Sequence, residues 1–252
     1  MVIKKRCLLW DWTNTDGPGH QGVPAEMDKV NFEGPMKSVS NWNTWTPPEL
    51  KGRAPFRPMI HDMAKLSGED GKRIENTKDG IILYFNEPEV AGISAEKAAD
   101  VWFKQIVPLR KEKGNKLVSP SCASNPQGQA WISDFMRRVE SEPPDFLGLH
   151  YYGTDHNEAI KYFEEMHAKH PKQRLFVTEV ASISRNYRDV VTFTIEIANW
   201  MDRTEWVEEY GFFGCMRQVA DGYVSPEAQL MKPDGQFTDL MYKLMYDQPM
   251  KA

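Results

Sequence analysis

The 252-residue sequence has no run of about 18 apolar residues, which excludes an ordinary membrane-spanning helix. Cysteine is scarce. Cys7, Cys122 and Cys215 are three in number, so at least one thiol stands outside any intramolecular disulfide. Each lies in an apolar, strand-like stretch, where a small buried packing residue is expected rather than a ligand. No long block of one charge occurs: 31 basic and 36 acidic residues are interspersed to a net −5, which argues against a nucleic-acid surface. The six histidines show no three-ligand zinc spacing; His167 and His170 close a lysine-flanked helical stretch and are expected to be exposed. No glycine-rich turn precedes the last helical stretches, so a barrel phosphate site is unsupported, and neither a metal nor a cofactor is expected. Internal repeats and low-complexity segments are also missing. The basic start, Met1 to Arg6, leads straight into a strand pattern and does not read as a signal peptide.

What is plentiful is aromatic. Eight Trp, nine Tyr and twelve Phe exceed the needs of one core of this size, so some rings are expected to face a ligand. Flat apolar faces with polar edges suit sugars.

The stretch that organises the chain is 81–89, a buried-strand pattern that ends abruptly in Asn86, Glu87 and Pro88. Proline lacks the donor that would continue a ladder. Residues 174–181 repeat the design with Glu179 at the tip. A lone glutamate after an apolar strand is commonly a solvated loop residue; two such tips point to a carboxylate pair. Further strand patterns fall at 7–12, 39–45, 56–61, 116–122, 146–153 and 211–216, with the polar stretch 13–19 expected as a loop. Helical patterns follow the later strands. Ser94 is the expected N-cap of one, and Asp155 with Glu158 resembles a capping pair opening another. The first three strands have no helical stripe between them, which predicts long loops. Eight strands with such helices predict an α/β protein, a single (β/α)8 TIM barrel over residues 1–252, with long loops after its first three strands.

In that architecture functional groups gather at the carboxyl ends of the strands, so Glu87 and Glu179 face each other across one mouth. Carboxyl groups about 5–5.5 Å apart suit glycoside cleavage with retention, and about 6.5–9.5 Å suits inversion. The charge of Glu179 is expected to raise the pKa of Glu87. Asn86 is a candidate sugar ligand, with a turn-capping amide as its alternative. His150 and Tyr152 share one face of their strand, and Tyr151 takes the other. Trp102 and Trp200 fit helix core stripes. Trp10, Trp12, Trp42 and Trp45 lie near strand tips, where a sugar platform is expected, and Trp131 fits either role. Asn43, Asn14 and Asn125 are weaker polar candidates.

The elements LLWDWTN, YFNEPE, SPSCASNPQGQAWISDFM, DFLGLHYYG and FVTEVA, in this order and spacing, resemble the fungal glycoside hydrolase family 128, the Asl1-like glycosyl hydrolase domain of clan A. The resemblance implies hydrolysis of β-1,3-glucan with retention by an endo-acting, secreted, fungal cell-wall-directed enzyme. It implies Glu87 as acid/base, Glu179 as nucleophile and Asn86 on the sugar 2-hydroxyl, with Tyr152, Tyr151 or His150 orienting the nucleophile. The expected partner is a β-1,3-glucan chain or oligosaccharide, bound by a monomer with no nucleic acid or membrane involved. An exo-acting glucanase and a non-catalytic glucan-binding barrel are the alternatives.

Overall fold

The apolar runs form strands covered on both faces. In a computed structural model, which describes residues 2–16 and 26–251, eight strands build one sheet. They are β1 (Arg6–Leu9), β2 (Met36–Ser40), β3 (Met59–Ile60), β4 (Ile81–Tyr84), β5 (Lys116–Val118), β6 (Phe146–Gly153), β7 (Arg174–Ser182) and β8 (Val207–Phe212). All pairings are parallel, in the order β2-β1-β8-β7-β6-β5-β4-β3. The end strands meet through a single bridge. Val39 pairs with Phe56, its N–H donating to the Pro55 carbonyl (3.0 Å) and its carbonyl accepting from the Arg57 N–H (2.8 Å). The sheet thereby curls into a (β/α)8 TIM barrel, as the sequence predicts, with a thin seam between β2 and β3.

Alternation sorts the side chains into two layers. Ile82, Tyr84, Leu117, Leu147, Leu149, Leu175 and Val177 face the helices in one large core. Ile81, Leu83, Val118, Phe146 and Phe176, with Met59, form a smaller cluster of their own, against which Trp42 packs. Beside Phe176 lies Glu209, fully buried and held by Arg57 in two bonds (2.6 and 3.1 Å) and by the Ser38 hydroxyl (2.5 Å). Burying a carboxylate requires such partners.

Helices close each later turn of the ring. The Ser94 Oγ caps Ala95–Val101 by accepting from the Lys97 N–H (3.1 Å), and the helical run continues through a π-turn at Trp102–Ile106 to Lys113. The helices Pro126–Arg138, His156–Lys169 and Tyr187–Arg203 follow β5, β6 and β7, and Asp155 caps the second as expected. Trp102 and Trp200 are core residues, and all three cysteines are buried free thiols.

Four expectations shift. The second strand is 36–40 rather than 39–45, because the Asn41 side chain accepts from the Asn43 N–H (3.1 Å) and turns the chain, leaving Trp42 at φ 60°. The eighth is 207–212 rather than 211–216: two of its early residues are glutamates, one of them hidden by the Arg57 pair, and Gly214 at φ 132° lies in the turn beyond. A helix at Gly68–Asn76 stands between β3 and β4, unseen in sequence because only Gly71 and Ile74 of its residues are buried. Thr13–Asp16, expected as loop, forms a helical turn, and the rest of that expected loop, 17–19, lies outside the described residues.

Candidate active site

The β4 tip is built under tension. Phe85 and Glu87 adopt left-handed φ values of 33° and 39°, a region costly for residues with side chains. Neighbouring strands hold the turn in place. Phe85 and Asn86 N–H groups donate to the Ile60 and His61 carbonyls (both 2.9 Å), and the Glu87 N–H donates to Ser121 (2.8 Å). Asn86 and Glu87 are thus presented to the cleft, and the Asn86 Oδ1 has no hydrogen-bond partner among the described residues.

On β7 a bulge performs the matching task. Pairing with β6 runs Leu149 to Val177 and then His150 to Glu179, so Thr178 is the extra residue. Its hydroxyl donates to Ser121 Oγ (2.7 Å). Gly148 permits this packing, since a Cβ there would lie 2.3 Å from Ser121 Oγ. The skipped position sets Glu179 directly against His150.

Glu179 is 6% exposed, and each carboxylate oxygen receives a fixed donor. The Trp42 indole N–H donates to Oε1 (2.7 Å) and the Tyr152 hydroxyl to Oε2 (2.6 Å). Burial and the nearby Glu179 charge hold the Tyr152 phenol well above its ordinary pKa, so it remains a donor. Phe213 packs edge-on against both donors, with centroids 5.6 Å from Trp42 and 5.9 Å from Tyr152. Glu87 and Glu179 are bridged by His150, which is wholly buried. Its Nδ1 lies 2.9 Å from Glu87 Oε1 and its Nε2 lies 3.6 Å from Glu179 Oε1.

That histidine overturns the expected pKa of Glu87. The bond to His150 is the largest influence and holds the carboxyl below the ordinary glutamate range, against the upward pull of burial. Burial alone would lower His150, but the Glu179 charge and the Glu87 bond outweigh it and raise the imidazole above its ordinary value.

Around these groups opens a cleft of about 580 Å³, lined among others by Trp12, Trp42, Asn86, Glu87, Tyr152 and Glu179. Other expected ligands lie elsewhere. His150 and Trp10 are 0% exposed and cannot meet a sugar; Trp10 instead donates to Thr15 Oγ1 (3.1 Å). Tyr151, on the opposite face of β6, packs on Tyr162, Phe163 and Phe193. Trp131 stacks on Phe135 and donates to the Ile93 carbonyl (2.8 Å). Trp45 and Asn43 are absent from the cleft lining; Asn43 bonds Lys65 and the Asn41 carbonyl. Asn14 is buried against the Cys215 carbonyl (2.8 Å), whereas Asn125 lines the cleft and caps the helix Pro126–Arg138. His167 and His170 are half-buried rather than exposed, and His167 stacks on Trp206.

Sequence reasoning passed over Asp11, His61, Phe213, Asp221 and Tyr223, all cleft-lining. Asp11 and His61 stood at the ends of recognised strand patterns and were findable. Phe213 was hidden by the misplaced eighth strand. Tyr223 depends on a long-range clamp, in which the Arg185 guanidinium donates to the carbonyls of Val224 (2.5 Å) and Gly222 (2.7 Å).

Comparison with known proteins bears on family and fold. A sequence profile described as the glycosyl hydrolase catalytic core matches residues 22–243. A crystal structure of a family 128 (subgroup VI) exo-β-1,3-glucanase from Aureobasidium namibiae is 56% identical, covers 100% of both chains and superposes with a TM-score of 0.96. A subgroup IV endo-β-1,3-glucanase from Lentinula edodes shares the fold at 23% identity and TM-score 0.79, over 96% of this chain and 99% of that one. The alkali-sensitive linkage protein 1 of Schizosaccharomyces pombe is 23% identical over 169 residues, 63% of this chain and 31% of that protein's length.

Proposed function

The chain belongs to the glycosyl hydrolase catalytic core family and, within it, to glycoside hydrolase family 128, and from that premise we propose that it hydrolyses β-1,3-glucosidic bonds of β-1,3-glucans with retention. The observation that carries this reading is Glu179, a nearly buried carboxylate with both oxygens fixed by neutral donors. Such donors lock the direction of the carboxylate, as attack on an anomeric carbon requires. Glu87, across the cleft on a strained turn, acts first as acid toward the glycosidic oxygen and then as base toward water. Asn86 offers its amide to a hydroxyl of the reacting sugar. Trp12, 42% exposed, and Tyr223, 57% exposed, supply aromatic faces for further glucose units.

Exo action fits better than the endo action implied by resemblance alone. The enzyme sharing 56% identity is exo-acting, and the clamped stretch carrying Asp221, Tyr223 and Val224 walls one side of the cleft. In this reading the whole chain is one secreted catalytic unit, working as a monomer on fungal cell-wall glucan. Among the described residues no helix is long and apolar enough to cross a membrane.

The test compares wild type, Glu87→Gln and Glu179→Gln on laminarin and on laminari-oligosaccharides, with binding and product sizes measured for each. Cleavage by wild type that both substitutions abolish while binding persists supports the assignment, and release of single small sugars from chain ends supports exo action. Binding without cleavage by wild type refutes it in favour of a glucan-binding barrel.

A further inference from the structure

His150 is a charged-group partner with no route to the substrate. It is wholly buried on β6, touches one carboxylate through Nδ1 at 2.9 Å, and aims Nε2 at the other from 3.6 Å. Among the described residues Nε2 has no other hydrogen-bond partner. A lone pair on Nε2 would face the carboxylate oxygen Glu179 Oε1, and a proton there would be attracted to it, so the favoured tautomer carries Nε2–H. Nδ1 then shares one further proton with Glu87.

We propose that His150 is a positioning residue that stores, between the two glutamates, the proton that Glu87 delivers and recovers in each catalytic cycle. The inference rests on the two-glutamate reading above. In the first half of the reaction the Nδ1–H bond breaks and an O–H bond forms on Glu87; that proton then passes to the glycosidic oxygen as the glucosidic bond breaks. In the second half Glu87 takes a proton from the attacking water and returns it to Nδ1. Atoms and charges balance without any further reactant. As Glu179 becomes an ester its negative charge disappears, which weakens the hold of imidazole on its proton when the leaving group needs it.

Among the described residues the charged surroundings are few. Glu87 and Glu89 from the β4 turn and Glu179 from β7 face the imidazole. Glu87 is faced in turn by His61 and by the phenols of Tyr152 and Tyr223. Both phenols, and the Cys122 thiol beside Glu87 and Glu89, are raised by burial and stay neutral. Three carboxylates therefore surround one imidazole, which supports a histidinium there.

The experiment is a pH titration of 15N-histidine-labelled protein by NMR, without substrate, on wild type, Glu87→Gln and Glu179→Gln, with His150→Gln to assign the signal. The His150 midpoint is expected above the ordinary histidine value in wild type and lower by about one pH unit or more in Glu179→Gln. A wild-type midpoint at or below the ordinary value, or one that Glu179→Gln leaves in place, overturns the proposal. Kinetics give the second readout: His150→Gln should lower kcat far more than it changes KM and should move the alkaline limb of the kcat/KM profile to lower pH. A uniform loss of activity with the limb unmoved assigns His150 a packing role only. Because the titration is read without turnover, failure of the glucanase assignment and failure of the proton store are seen separately.

Discussion

Removing one hydroxyl, in Tyr152→Phe, isolates what the donors on Glu179 contribute. The 2.6 Å bond to Oε2 is a hydrogen bond to a charged group inside a nearly closed site, and such bonds are worth about 1.5–3 kcal/mol. Each ~1.36 kcal/mol is tenfold in rate, so kcat on laminari-oligosaccharides should fall about 10- to 150-fold if the whole contribution lies in positioning the nucleophile. The unsatisfied buried oxygen should also cost about 1–3 kcal/mol of stability. For a chain of this size that corresponds to about 2–4 °C in Tm per kcal/mol. Trp42→Phe removes the donor on Oε1, and because Phe213 backs both rings the two losses should couple. The double variant is expected to lose less than the product of the single effects. A Tyr152→Phe enzyme with kcat within about twofold of wild type, a loss of under ~0.5 kcal/mol, would refute the assignment of Tyr152 as an anchor of the nucleophile.

Three further outcomes follow from the geometry of the cleft. Glu87 is depressed by its His150 bond, so its contribution is complete above about pH 4.3 and is lost as pH falls through the lower folded value; His150 is raised, so its contribution is complete below about pH 6.5 and is lost as pH rises through the higher folded value. The stability advantage of wild type over Glu87→Gln should therefore peak between those limits, as denaturant unfolding across pH would measure. Trp12→Ala should weaken laminari-oligosaccharide binding about tenfold, ~1.4 kcal/mol, with unfolding unchanged, whereas Trp10→Ala should cost about 3–5 kcal/mol of stability, because the first ring is open to the cleft and the second is wholly buried. Arg185→Ala frees the stretch that presents Tyr223, and KM for short oligosaccharides should rise several-fold while laminarin yields a broader range of product sizes. An unchanged product pattern would mean that this wall does not govern chain-end cleavage.

What could be read from sequence divides along physical lines. Strands β4, β6 and β7 were legible because both their faces are apolar, and their tips carried Glu87 and Glu179 into one cleft as periodicity and barrel geometry required. Alternation also gave the opposed faces of Tyr151 and Tyr152. Failures came where long-range partners set the outcome. Glu209 is tolerated inside the barrel only because Arg57, 152 residues away, pairs with it, so β8 looked too polar to begin at Val207. Trp10 and Trp42 stand near two strand tips and look alike in sequence, yet a left-handed turn sends one to Glu179 while the other is wholly buried and bonded to Thr15. The depression of Glu87 was out of reach, because it depends on which nitrogen of His150 meets which carboxylate.

The seam between β2 and β3 gives the ring a preferred place to breathe. Every other pair of neighbouring strands keeps at least one paired position inside both strands, but here one bridge, which falls outside β3, and the Asn43 carbonyl, accepting from the Met59 N–H at 2.9 Å, join the two ends. Transient local opening should therefore begin at this line, and the amides of Val39, Arg57 and Met59 should exchange with solvent sooner than those buried between β6 and β7. Trp42 lies on the loop that spans the same line. Each opening that displaces it also unhooks Glu179 Oε1, which makes the tempo of the barrel's weakest joint a limit on how long its reactive carboxylate stays aimed.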